Sequence, residues 1–201
     1  NNKKTWVYMS KIKIVSRWLK SILYLIIAFI ALFSVSYWFI IEQIVVEKGM
    51  LSEGLYFNML YSPLDVSDLQ KFGISKILLS PMSKMYGFFV MMIPVSAIFF
   101  SLYQGIRLFS LYEKGKIFSK ENVERYKKLG YARFAWVGAN VIYTPLMTFA
   151  ITHGNIFGQR FIALKVSLSD IATILVGGGI LLISWVMQEG LKIADDQSHT
   201  I

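Results

Sequence analysis

Four stretches of this chain run for 18 to 22 residues without one Asp, Glu, Lys, Arg or His, and that property decides its class. They are 21–41, 85–106, 134–152 and 171–188. A helix of about 20 apolar residues crosses the roughly 30 Å hydrocarbon layer of a bilayer. A soluble chain of this size has room to bury one or two such helices, not four. Charged residues are 16% of the chain and hydrophobic ones 55%, where soluble domains carry about 25% charged residues. The same balance excludes a disordered chain. The expected fold is an all-α integral membrane protein, 1–201 forming a single four-helix membrane domain. With no cysteine, a disulfide scaffold, a thiolate metal centre and a cysteine nucleophile are excluded.

The first span follows a basic segment, as a secretory signal would. Its apolar core exceeds the roughly 7–15 residues of a signal, and bulky Tyr37, Trp38 and Phe39 stand where small cleavage-site residues belong. It reads as a retained helix.

Charge sets the orientation. Residues 1–20 carry Lys3, Lys4, Lys11, Lys13, Arg17 and Lys20 with no acid, and 107–133 carries eight basic residues against three acidic. The 42–84 segment has a net charge of −1 and 153–170 of +1. Lys and Arg collect on the cytoplasmic side. Both termini and the 107–133 loop are therefore expected inside, with 42–84 outside. The net charge of +9 reflects topology and attraction to lipid headgroups, so direct nucleic-acid binding is not expected. Trp18, Tyr37, Trp38 and Trp185 fall near span ends, where an interfacial aromatic belt forms.

The long 42–84 segment contains Leu55-Tyr56-Phe57 and Ile77-Leu78-Leu79, too apolar for open coil. It predicts a small extracytoplasmic cap, with short helices after Pro63 and over 66–72, serving as a lid or as a sensing surface. Inside, Gly115 breaks the chain after the second span and Ser119 is a good N-cap. Phe118 and Val123 are placed for a hydrophobic staple, and Val123, Tyr126 and Leu129 recur at helical spacing. The 109–133 segment predicts an amphipathic helix along the inner membrane surface that turns into the third span at Gly130. It is either a connector that snorkels its lysines or a docking surface.

Chemistry is sparse. Proton-coupled pumps keep ionisable groups inside the bundle, and these spans have none. His153 and His199 fall on opposite sides of the expected topology and cannot share a metal. No nucleophile elbow, phosphate loop or zinc-protease motif occurs. No catalytic residue, metal ligand or cofactor site is expected, and the protein reads as a non-enzyme. Asn140 and Thr144, one turn apart beside Pro145, are the candidate intramembrane polar pocket, with helix packing as the plainer use. Pro94 and Pro145 predict kinks. Ser169, Thr173 and Gly177 form a small-residue stripe, and Ala135 with Ala139 a shorter one, of the kind that lets membrane helices approach.

Two stretches carry a resemblance. GKIFSKENVERYKKLG and EGLKIADDQSHTI, with Gly115, Phe118, Ser119, Asn122 and Gly130, then Gly190, Asp195, Asp196, Thr200 and Ile201, resemble the motifs of the bacterial domain-of-unknown-function 2975 family. Ser198-His199 departs from the acidic-then-aliphatic pair common there. The resemblance implies a small four-helix inner-membrane protein of bacterial origin. It also implies a link to a small helix-turn-helix regulator, whose genes often neighbour those of the family.

The residues supply compatible surfaces. Phe118, Ser119, Asn122, Tyr126, Lys127 and Lys128 on the loop, with Asp195 and Asp196 on the tail, are the candidate partner surface. The acidic tail would meet a basic regulator or pair with Lys127 and Lys128 of its own loop. The expected function is relaying a signal to, or tethering, that cytoplasmic DNA-binding partner. The alternative is a small transporter, channel or lipid-binding protein acting as a homo-oligomer.

Overall fold

The computed structural model describes residues 2–40, 43–47, 50–51, 76–154, 160, 162–164 and 166–198. In chain order these form α1 (Asn2–Ile40), β1 (Gln43–Glu47), β2 (Met50–Leu51), β3 (Lys76–Leu78), α2 (Pro81–Glu113), α3 (Lys120–Thr152) and α4 (Leu168–Ser198). All four helices are long and apolar enough to cross a membrane. They take in 21–40, 85–106, 134–152 and 171–188 and extend past the uncharged runs at one end or both, because a helix needs apolar residues only across lipid and continues through polar ones beyond it.

α2 starts before its apolar stretch for a local reason. Ser80 is its N-cap, its Oγ accepting from the Ser83 amide at 3.1 Å, and Pro81 takes the first helical position, where its missing N–H costs nothing. Pro94 and Pro145 both lie inside helices that continue past them. The expected turn at Gly130 is absent. The amphipathic segment is the first part of α3 itself, and 120–152 is one continuous helix.

The described part of the 42–84 segment adds strands to the helical class. β1 lies between β2 and β3 and pairs antiparallel with both. The register joins Val46 to Leu51 and Ile44 to Ile77. Ile77 and Leu79 are buried while Leu78 is exposed, the alternation of a half-buried strand. The short helices expected after Pro63 and over 66–72 lie outside the described residues.

Contacts gather the chain into two units, one of Asn1–Phe29, Ala97–Val137 and Leu168–Ile201, the other of Ile30–Ser96 and Gly138–Ser167. In the first, Glu113 near the end of α2 accepts from Arg17 Nε at 3.0 Å and Lys20 Nζ at 2.5 Å on α1. α3 and α4 run antiparallel, with Lys120 facing Asp195, Val123 facing Ser184 and Gly130 facing Gly177. Gly130 and Gly177 bring the two backbones together. A Cβ on Gly130 would stand 3.1 Å from the Gly177 carbonyl oxygen, and one on Gly177 would stand 3.2 Å from the Gly130 oxygen.

In the second unit Trp38 is buried and donates from its indole to Met91 Sδ at 3.4 Å. Gly87 makes room for it, since a Cβ there would stand only 2.0 Å from the nearest carbon of the indole ring. Tyr143, Met147, Ala150 and Ile151 form the buried face of α3 here. Thr144, Thr148 and Thr152 are buried at one-turn intervals, each hydroxyl donating to the carbonyl four residues earlier.

Thr148 Oγ1 also accepts from the Ala163 amide at 3.1 Å, so the connection after α3 folds back one turn along it. Thr148→Val keeps the shape and removes that acceptor. The Ala163 amide is expected to exchange with deuterium about fivefold faster, the equivalent of about 1 kcal/mol. Exchange read by mass spectrometry on the peptide containing Ala163 checks it.

Candidate functional site

The turn between α2 and α3 is the most elaborately held part of the first unit. Just past the end of α2, Gly115 has a φ of 78°, which is left-handed and suits only glycine without strain. The Lys116 amide donates to the Leu111 carbonyl and the Gly115 amide to the Tyr112 carbonyl, both at 2.9 Å. This is the paired Schellman closure that satisfies the last carbonyls of a helix. Ser119 then caps α3, its Oγ accepting from the Asn122 amide at 3.3 Å. The N-cap read from the sequence is in place.

Asn122 completes the turn. Its side chain is fully buried, and Nδ2 donates to the Lys116 carbonyl at 2.7 Å and to the Ile117 carbonyl. One residue thereby ties the first turn of α3 to the chain entering it. A hydroxyl pair, Tyr112 and Tyr126 at 2.6 Å, joins α2 to α3 beside it. Arg125 Nη1 donates to Gln104 Oε1 at 3.1 Å, and Ser184 Oγ on α4 donates to the Val123 carbonyl at 3.0 Å. Asn122 Oδ1 and Arg125 Nε are buried without a hydrogen-bond partner.

The expected partner surface therefore divides. Asn122 faces inward and Tyr126 spends its hydroxyl on Tyr112, so both hold the turn and neither forms an outward patch. Phe118 is the outward residue, 75% exposed at the apex. Lys128 pairs with Glu124 at 3.5 Å along its own helix. The tail meets the loop at Lys120, whose Nζ is 3.4 Å from Asp195 Oδ2. Lys120, Lys127, Asp195 and Lys192 line a groove of about 380 Å³ between α3 and α4. Asp196 is exposed on the same helix.

Asn140 and Thr144 lie one turn apart on α3. The Thr144 hydroxyl returns to the Asn140 backbone carbonyl at 3.0 Å, which is a use within one helix. Of the small-residue stripe, Gly177 packs on α3, whereas Ser169 and Thr173 line an open cavity of about 440 Å³ with Arg133, Ala172 and Val176. Among the described residues no group of three or more His, Cys, Asp or Glu converges as metal ligands would.

The sequence reading missed the Asn122 latch, although a signal existed. Ser-x-x-Asn places a polar side chain at the third helical position, where the capping box carries Glu or Gln.

No curated protein and no solved structure matches the chain. The family described as proteins of unknown function, DUF2975, matches residues 58–201, which takes in the turn, α2, α3, α4 and the acidic tail and leaves α1 outside. With most of its length covered by that match, this multi-pass membrane protein belongs to the DUF2975 family.

Proposed function

We propose that this protein is a non-enzymatic component of the bacterial inner membrane, with both ends in the cytoplasm, that relays a signal to or tethers a cytoplasmic partner. The distribution of Lys and Arg supports the orientation, since 1–20 and 107–133 hold most of the basic excess. The partner reading rests on one observation: a large aromatic side chain, Phe118, projects from a turn locked by Gly115, Ser119 and Asn122. Aromatic anchors on preorganised backbone carry much of the energy of protein interfaces. The charged groove formed by Lys120, Lys127 and Asp195 belongs to the same unit and supplies a polar rim. A small helix-turn-helix regulator is the partner that the family resemblance supports.

A transport path through Asn140 and Thr144 has less support, because the Thr144, Thr148 and Thr152 hydroxyls are all committed to their own helix.

A photo-reactive phenylalanine at position 118, activated in native membranes, tests the reading. The expected product is an adduct with a small DNA-binding protein. The same probe at Tyr131, also exposed, should yield no such adduct. Phe118→Ala should lower recovery of that partner about 10-fold or more. Equal protein labelling from both positions would remove the anchor and the proposal with it.

A further inference from the structure

The second unit contains a groove that none of these roles uses. About 480 Å³ in volume, it lies between the end of α1 and the start of α2. Val35, Trp38, Phe39, Phe88 and Phe89 are among its walls, and Lys84 is its one charged lining residue. Its size falls within the roughly 300–1,000 Å³ of ligand sites.

Three observations say what would fill it. First, the walls offer an occupant almost no hydrogen bond: the buried indole N–H of Trp38 is already directed at Met91 Sδ, so an apolar chain fits and a polar ligand does not. Second, the groove is graded along its length. Lys84 sits in the first turn of α2, one residue before its uncharged stretch begins, and Phe88 and Phe89 follow one turn on. Third, Lys84 forms no ion pair among the described residues, and the surface around the groove is apolar, with Phe39 82% and Phe89 63% exposed. An occupant with a hydrocarbon tail at the deep end and a negative head at the Lys84 end matches all three.

We propose that this groove binds one acyl chain of an anionic phospholipid of the bilayer, with its phosphate at Lys84. The inference needs the chain to sit in a membrane and is independent of the relay reading. Lys84 supplies charge selectivity, and the aromatic walls supply the affinity for the tail. Gly87 is a structural requirement of the site, because only a residue without Cβ lets Trp38 lie against α2 as its wall.

The test uses the full-length protein in vesicles of equal parts phosphatidylglycerol and phosphatidylcholine, with a diazirine in the acyl chain of one lipid at a time. Labelled residues are mapped by mass spectrometry. The glycerol lipid should label 35–39 and 85–89 several-fold more than the choline lipid. Lys84→Gln should bring the two to the same level, and Lys84→Arg should retain the preference. Thermal midpoints in detergent report whether each variant is folded. Equal labelling by both lipids in the parent protein would overturn the proposal, as would an undiminished preference in a folded Lys84→Gln variant. So would crosslinks between two copies of the chain through these residues in place of lipid adducts.

Discussion

Gly177→Leu is expected to destabilise the protein by about 2–3 kcal/mol, while alanine at Gly178 or Gly179 costs nothing and gains up to about 1 kcal/mol. The three glycines are consecutive in the sequence and differ only in what faces them. Gly177 meets Arg133 Cβ, for which an added Cβ would stand at 2.9 Å, and the Gly130 carbonyl oxygen at 3.2 Å. The oxygen belongs to a helix backbone and cannot swing aside. A larger residue must therefore part α3 from α4, which also pulls Ser184 from the Val123 carbonyl. Gly178 and Gly179 have nothing within 4 Å of an added Cβ, so alanine there removes only the backbone freedom that glycine brings to a helix. Gly130→Leu acts on the same contact from the other side. The double variant should consequently lose less than the sum of the two single losses, since both open one interface. Thermal unfolding in detergent, followed by intrinsic fluorescence, gives the order; equal effects across the triplet would exclude the close approach as its cause.

That contrast shows where sequence reading reached its limit. The four spans were legible because each requires only that a run of residues avoid charge, a condition written locally. The N-cap at Ser119 was legible for the same reason: cap and first turn are adjacent in the chain. Pairing between helices is written in a register that no single segment contains. In sequence Gly130 reads as a turn and Gly177 as part of a stripe with Ser169 and Thr173, and the fact that the two meet follows only once α3 and α4 are aligned. The exposed Ser169 shows the converse, that small spacing alone does not choose the packed face. The burial of Trp38 likewise depends on Gly87, far away in sequence, which provides the space for its indole.

Asn122→Asp is the second substitution with a large expected effect. It preserves shape and exchanges a donor for an acceptor. The carboxylate would face the Lys116 and Ile117 carbonyls, which now receive Nδ2 hydrogens, in a site with no access to water. The expected loss is about 3 kcal/mol or more at neutral pH. Asn122→Ala, which leaves two carbonyls without a donor but places no charge among them, is expected to cost about 2 kcal/mol.

The two variants differ in their pH response. Burial raises the folded-state pKa of the new carboxyl above its unfolded value, so the folded state binds the extra proton. The stability of the Asp variant should therefore rise as pH falls through the raised folded value, and the gain should be complete below the unfolded value near 3.9. The protonated acid regains one O–H donor for the turn. The alanine variant has no such group and should show no recovery relative to the parent. Thermal midpoints measured from pH 8 to pH 4 separate them, and parallel curves would mean that the Asn122 side chain is not the donor that closes this turn.

The three-stranded sheet carries a consequence for how members of such a lineage can diverge. β2 and β3 flank β1, and their near ends, Leu51 and Lys76, sit beside neighbouring residues Val46 and Val45. Strands stand about 4.8 Å apart, so the chain leaves and re-enters the sheet across a gap of about 10 Å. Doubling the length of a flexible connection across such a gap costs only about 0.6 kcal/mol in closure entropy. A change in chain length between Leu51 and Lys76 is thus cheap as long as β1 keeps both of its neighbours.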